Sequence, residues 1–348
     1  KLMSDEFVYD GSVLSCLEML SGGITCFNDM YFFPEAVARA ALDTGVRAVL
    51  SIAVLEFPTP FANTPDEYLR KGLAARDRYR DEPLVRFAMA PHAPYTVSDD
   101  TFREIAKLAA ELSLPIHVHV HETAQEVRQS LEQHGARPLA RLAGLGVVGP
   151  DTIAVHAVHL SEHDIDLLRE HGASVAHCPH SNLKLASGIA PVARLLAQGI
   201  NVGIGTDSAA SNNRLDLFGE GRTASLLAKG AGGNAATWPA QSMLAAMTIN
   251  GARALGMDRL IGSLSPGKQA DLVAVDLSAP ELAPVFDPVS HLVYAAGREH
   301  VSDVWVAGRA VVRNRQLAQA RAQTLSSEVT ARCAVWQNRI RSTVADGS

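Results

Sequence analysis

Seven short apolar runs, each rich in β-branched residues, alternate along this chain with longer stretches of helical periodicity. The runs cover 24–30, 47–53, 85–90, 116–121, 152–156, 174–178 and 201–206. Between them lie amphipathic stretches at 34–44, 99–112, 122–143, 161–171 and 191–197, with another at 7–20 ahead of the first run. Several helices have start signals, such as Ser98-Asp99-Asp100, Thr123 and Ser161-Glu162. Gly22-Gly23, Gly45, Gly172 and Gly199 follow helices where a left-handed cap would sit. Strand followed by helix, repeated, predicts a parallel sheet, because parallel neighbours need a crossover long enough to hold a helix. The expected fold is α/β, a TIM-type (β/α)8 barrel, and seven strands are one short of it.

After Asn250 the character changes. Gly262-Ser263-Leu264-Ser265-Pro266-Gly267-Lys268 is turn-rich, and two strand-like pieces follow at 271–276 and 301–312, the second interrupted by Gly308. A fairly polar helical tail runs from 317 to 344. The predicted division is a barrel over 1–255, a small β module over 256–318 and a helical tail over 319–348.

The chain's 348 residues, 47% hydrophobic, suffice for one large α/β unit with an appended module. The net charge of −6, without any Lys/Arg run, argues against nucleic-acid binding, which needs a concentrated basic face. Cys16, Cys26, Cys178 and Cys333 lie far apart with no CxxC pair, which fits a reducing cytosol and a cytoplasmic protein. No apolar stretch reaches membrane-spanning length and no signal peptide opens the chain, so no membrane partner is expected.

The chemistry is concentrated where apolar runs end. Ile200–Ile204 runs into Asp207, and a carboxylate there is costly unless it meets a cation or hydrogen-bond donors. His117, His119 and His121 alternate along one run, predicting that all three share a face, and Glu122 follows directly. His156 closes the next run, and His92 closes an earlier one in a proline-stiffened turn. Any one of these histidines alone is as readily a satisfied core residue. Barrel enzymes, however, collect their catalytic groups at the C-terminal strand ends, where His92, His119, His156 and Asp207 all fall. Imidazole and carboxylate suit a divalent metal, and Glu122 can shuttle a proton. The run His177-Cys178-Pro179-His180-Ser181-Asn182 reads as loop scaffolding. No GxSxG elbow, P-loop or Pro-Cys-x-x-Cys zinc-deaminase signature occurs.

At these residues the chain resembles the amidohydrolase superfamily, most closely the branch of 5'-methylthioadenosine/S-adenosylhomocysteine deaminases and triazine chlorohydrolases. The resemblance runs from Gly23-Ile24-Thr25-Cys26-Phe27-Asn28-Asp29-Met30-Tyr31 through Ala90-Pro91-His92-Ala93-Pro94-Tyr95 and His119-Val120-His121-Glu122-Thr123. It continues through Ser181-Asn182-Leu183-Lys184-Leu185-Ala186-Ser187-Gly188 and Gly205-Thr206-Asp207 to Gly262–Leu272, which marks the family's small β-sandwich. The resemblance implies that His119 and Asp207 bind the metal, that Glu122 is the acid/base, and that His156 bonds the attacking water or the developing oxyanion. His92, Ser211 and Glu122 would contact a nucleoside-like substrate, making Glu122, His156 and Asp207 the catalytic set. No lysine ends the fourth barrel strand, so one divalent ion is implied, zinc before iron, nickel or manganese. The implied reaction converts an adenine nucleoside or thionucleoside to its inosine-type product and ammonia, through hydroxide generated at the metal. The family often forms homo-oligomers.

The family's first barrel strand ends in His-x-His and supplies two further ligands. Here the first histidine is His92, and the sequence starts at Lys1 rather than Met. The reading favoured by these facts is a fragment, which by itself should bind metal poorly and turn over slowly. The alternatives are a deaminase or chlorohydrolase of another heterocycle, such as guanine or a triazine, and a non-catalytic barrel kept as a scaffold.

Overall fold

The computed structural model describes residues 2–345. Seven strands form one parallel sheet in sequential order: β1 Cys26–Asn28, β2 Arg47–Val54, β3 Val85–Pro91, β4 Ile116–Val120, β5 Thr152–His156, β6 Ser174–His177 and β7 Val202–Ile204. Each expected run overlaps one of these strands, β2 and β3 running one residue past the expected 47–53 and 85–90. The connections hold α1 Asp5–Ser21 ahead of β1, then α2 Pro34–Thr44, α3 Pro65–Tyr79, α4 Asp99–Leu112, α5 Ala124–His134, α6 Pro138–Gly144, α7 Glu162–His171, α8 Pro179–Lys184 and α9 Val192–Ala197. After β7 come α10 Leu217–Gly232, α11 Ala240–Ala246 and α12 Ile249–Ala254. This is the curled sheet and helix layer of a TIM-type fold, with β1 and β7 unpaired to each other among the described residues.

The strands are buried on both faces, as parallel strands covered by helices must be: all eight residues of β2 and all five of β5 are buried. Leu50, Ile52, Phe87, Met89, Val118 and Val120 pack outward into the main apolar core. On the lumen side, α12 and the turn after it form an apolar plug. Ala252, Met257 and Ile261 pack on Val49 and Ala88, while Ala254 packs with Ile153, Val155 and Cys178. The plug lies close because Gly203 has no side chain, since a Cβ there would stand 3.3 Å from the Gly251 Cα. The lumen above the plug is where the histidines lie.

The helix starts follow the capping chemistry. Ser98, Thr123 and Ser161 each accept the backbone N–H three residues on, at 3.3, 3.1 and 3.3 Å. The stretch 122–143 is not one helix but two. Gly135 (φ 64°) caps α5 in the left-handed region, and Pro138 opens α6.

A second, antiparallel sheet runs β11–β10–β9–β8, from β8 Leu272–Val275, β9 Val301–Val306, β10 Arg309–Arg313 and β11 Gln316–Leu317, with α13 Pro288–Tyr294 between β8 and β9. It is fastened beneath the barrel by Arg47, the first residue of β2, whose guanidinium grips Asp271 through Nε and Nη2, both at 2.9 Å. The final helix, α14 Ala320–Ala345, packs Ala322, Leu325 and Val329 against Val13 and Leu17 of α1. No described helix is long and apolar enough to cross a membrane.

Candidate active site

Strand β4 delivers His117 and His119 into the lumen, but not His121. The strand ends at Val120, and His121 takes a left-handed backbone (φ 58°), which turns its ring out of the alternation. That ring is fully buried outside the lumen. Its Nδ1 donates to the His159 carbonyl (3.0 Å), and its Nε2 accepts the Leu139 N–H (3.1 Å). The expectation that the three histidines share a face therefore holds for two. Period-two alternation stops at the last residue with extended backbone.

His119 is oriented by one atom. The His92 carbonyl accepts both its backbone N–H (3.1 Å) and its Nδ1–H (2.9 Å). The proton therefore sits on Nδ1, and the Nε2 lone pair is left for the lumen. Burial, reinforced by His156 nearby, depresses the His119 pKa. A neutral imidazole with its second nitrogen fixed by a carbonyl is the form that ligates metals.

His156 and Asp207 both adopt left-handed backbone, at φ 72° and 58°. Such strain in non-glycine residues persists only where surroundings over-determine it. The His156 ring stacks on His119, with centroids 5.4 Å apart and planes at 23°. Its Nδ1 donates to Asn182 Oδ1 (2.8 Å), so Nε2 is again the free lone pair, 3.9 Å from Glu122 Oε2. Asp207 accepts the Ser181 hydroxyl at Oδ2 (2.5 Å) and the Ser208 N–H at Oδ1 (2.6 Å). Burial works against its ionisation, yet the bonds from Ser181 and Ser208, with the Ser211 hydroxyl and His156 nearby, hold the carboxyl below its ordinary range.

Glu122 follows the strand on the turn into α5. Its Oε1 accepts the Ser187 hydroxyl (3.3 Å), and its backbone N–H donates to Glu126 Oε2 (2.8 Å). Glu126, buried beneath the turn, also takes the His121 N–H (2.8 Å). His92 stands edge-on to His119, 5.2 Å away, with Nδ1 bonded to Thr96 Oγ1 (2.9 Å). Burial, with His119 second, lowers its pKa to about 4. Ser211 is buried in the loop after β7, where its hydroxyl bonds the Ser208 carbonyl (3.2 Å).

His92, His119, Glu122, His156 and Asp207 thus converge on one lumen, with Ser211 at its rim through Asp207. The donor chemistry fits a divalent ion: a neutral imidazole nitrogen at His119 and an ionised carboxylate at Asp207. Below them, His117 Nδ1 and His177 Nδ1 are buried without hydrogen-bond partners, and burial drives these rings to about 3 and about 4. Among the described residues, no three His, Cys, Asp or Glu side chains meet at metal-binding distance.

Three residues beyond the sequence-derived set hold this arrangement. Ser181 and Asn182 lie in the segment read as scaffolding, which folds into the short helix α8. Adjacent there, they grip Asp207 and His156 respectively. Polar residues on a six-residue helix leave no periodic signal. Glu126 could have been found, because Thr123-Ala124-Gln125-Glu126 is a capping-box pattern.

The amidohydrolase family model matches residues 1–311 of this chain. A 5-methylthioadenosine/S-adenosylhomocysteine deaminase of Teredinibacter turnerae is 49% identical over 337 residues, 97% of this chain and 75% of that protein. A 5'-deoxyadenosine deaminase of Methanothermobacter thermautotrophicus is 42% identical, covering 90% of this chain and 73% of its own length. An adenosine deaminase from Xanthomonas campestris with bound zinc superposes with a TM-score of 0.94 at 47% identity, covering 98% of this chain and 77% of that one. An atrazine chlorohydrolase from Arthrobacter aurescens, complexed with zinc, follows at a TM-score of 0.87 and 26% identity, covering 94% and 77%. With its lumen of histidines and carboxylates built on a TIM-type sheet, and with these matches along nearly all its length, the chain belongs to the amidohydrolase family.

Proposed function

We propose that this protein is a metal-dependent aminohydrolase that converts an adenine nucleoside or thionucleoside to its inosine-type product and ammonia. The candidate substrates are 5'-methylthioadenosine, S-adenosylhomocysteine or adenosine. The observation that carries this reading is the convergence of His119, Glu122, His156 and Asp207, each with its second polar atom already fixed. The names of the similar deaminases support the substrate class.

His119 Nε2 and the Asp207 carboxylate would hold the ion, and zinc suits that donor pair. When bound, a divalent ion supplies Lewis acidity that brings the pKa of water down to about 7. Glu122 takes a proton from the attacking water and delivers it to N1 of the purine, so no negative charge accumulates on the ring. His156 Nε2, free because Nδ1 is committed to Asn182, accepts a hydrogen bond from the same water and orients it. Asp207 relays the remaining hydroxyl proton to the amine leaving C6, giving ammonia and a carbonyl. His92 and Ser211, at the lumen's rim, contact the nucleoside.

We read β1–β7 as strands two to eight of a (β/α)8 barrel over 1–255, the β8–β11 sheet as part of a small β-sandwich over 256–318, and 319–348 as a helical tail, with residues 1 and 346–348 of those ranges outside the described residues. The four free cysteines suit a reducing compartment, and we assign the protein to the cytoplasm, with a small molecule rather than nucleic acid as its ligand and with homo-oligomers as in its family. Superposition on the chlorohydrolase supports a second reading, in which chloride leaves a triazine ring.

Ammonia release decides between these. Turnover of 5'-methylthioadenosine or adenosine, abolished by a chelator and restored by zinc, is the expected result. Silence on all three nucleosides, with chloride released from a triazine, would replace the first reading with the second.

A further inference from the structure

The mechanism above leaves Glu220 of α10 without a role, although its side chain is fully buried. An acidic side chain without access to water is costly to the fold unless every lone pair is engaged. Here the engagement is nearly complete. Oε1 accepts the Asn212 amide (2.6 Å) and pairs with His180 Nδ1 (2.8 Å), while Oε2 accepts the His180 backbone N–H (3.1 Å). The other ring nitrogen of His180 bonds Thr223 Oγ1 (2.7 Å), one turn further along α10. Gly219 makes room for that ring, since a Cβ there would lie 3.2 Å from His180 Cε1.

Both partners of Glu220 belong to segments that carry site groups. His180 is followed by Ser181, bonded to Asp207, and by Asn182, bonded to His156. Asn212 donates not only to Glu220 but also to the carbonyl of Thr206 (2.7 Å), the residue immediately before Asp207. Helix α8 spans only six residues and is too short to hold its own orientation. The loop after β7 carries its aspartate in strained backbone. One carboxylate joins the two.

We propose that Glu220 is a positioning residue, clamping the His180–Asn182 turn to the Thr206–Asn212 loop and thereby setting the distance between His156 and Asp207. The proposal rests on the reading that those two side chains act together in hydrolysis. It assigns Glu220 no contact with substrate or metal.

Glu220→Gln preserves the shape but turns an NH2 group toward one of the donors. Backbone amides of 180–185 and 206–213 should then exchange at least about 10-fold faster by hydrogen–deuterium exchange, while those of β2 and β5 keep the parent's rates. For 5'-methylthioadenosine, kcat should fall about 10- to 100-fold with KM within about threefold, the signature of misplaced rather than lost binding groups. Asn212→Ser, which removes the link to Thr206 and leaves Glu220 bonded to His180, should show the same local exchange pattern with a smaller fall in kcat. It carries the test if the glutamine variant does not fold. Local exchange indistinguishable from the parent's, or acceleration spread evenly over the sheet, overturns the proposal. So does a folded variant with unchanged kcat and KM. If the parent protein releases no ammonia from any nucleoside, the functional reading fails, and the exchange pattern alone decides whether the clamp exists.

Discussion

The two ends of the barrel bury charge in opposite ways. At the N-terminal end of β2, Arg47 and Asp271 form a bidentate pair, each only 3% exposed, and their remaining atoms are satisfied by the Pro83 carbonyl and the Ala307 N–H. At the C-terminal end, among the described residues, Asp207 is held by hydroxyls and a backbone N–H without a cationic partner, two imidazoles keep free Nε2 lone pairs, and His117 and His177 have unpartnered nitrogens. The first arrangement is complete in itself and serves to bolt the second sheet to the barrel. The second leaves donor atoms that no other protein group engages among the described residues. A barrel keeps its structural charges at one end and its chemical charges at the other, and the difference is legible as satisfaction against deficit.

Substitutions at the two ends should therefore fail differently. The largest effect is expected from Asp207→Asn, with kcat for nucleoside deamination down at least about 10³-fold and the melting temperature within a few degrees of the parent's. Equal losses of activity and stability there would erase the contrast. Arg47→Met leaves Asp271 buried and unpaired, and should cost about 3–5 kcal/mol in denaturant unfolding while kcat per folded molecule stays near the parent's. Adding Asp271→Leu should recover most of that loss, because a buried pair is cheaper removed whole than halved.

Asn182→Ala probes the braces rather than the ligands. Freed of its partner, His156 no longer holds its proton on Nδ1, and kcat should drop about 10- to 100-fold with little change in fold, as seen when an imidazole's orienting partner is removed. A change below twofold would show that His156 does not depend on Asn182. A last effect, on stability rather than turnover, concerns pH. Burial pushes the Glu126 carboxyl up to about 7 from an ordinary 4.5. Across that interval the folded state holds a proton that the unfolded chain has released, so the group's contribution is full below pH 4.5 and lost as pH rises to about 7. The stability of the parent relative to Glu126→Gln should accordingly fall by up to about 3 kcal/mol between pH 4.5 and 7, then level off. A difference independent of pH would mean that Glu126 does not titrate there.

Much of this was readable in advance, and for identifiable reasons. The strands announced themselves because a sheet buried on both faces needs nearly continuous apolar runs, as at Arg47–Val54. Helix starts were visible in Ser98, Thr123 and Ser161, since caps act within three residues. The break at Gly135–Pro138 was written in the sequence too, but apolar periodicity ran through it and masked the stop. What local pattern could not carry was direction at the strand ends. A left-handed residue sends His121 out of the lumen while His119, two positions earlier, stays in it. Nor could it carry the braces, because Ser181 and Asn182 acquire meaning only when β5, α8 and the loop after β7 are brought together.

The joint between α1 and α14 has a consequence in time. Asp10 of α1 bonds Arg332 (2.8 Å) and Trp336 (2.8 Å) of α14, side chains 322 and 326 positions away. During synthesis at about 5–20 residues per second, α1 leaves the ribosome roughly 15–60 s before α14 exists. For that interval Val13 and Leu17 have Ala40 of α2 as a neighbour but lack Ala322, Leu325 and Val329. The nascent protein thus carries an unfinished apolar seam along α1 until α14 arrives to cover it.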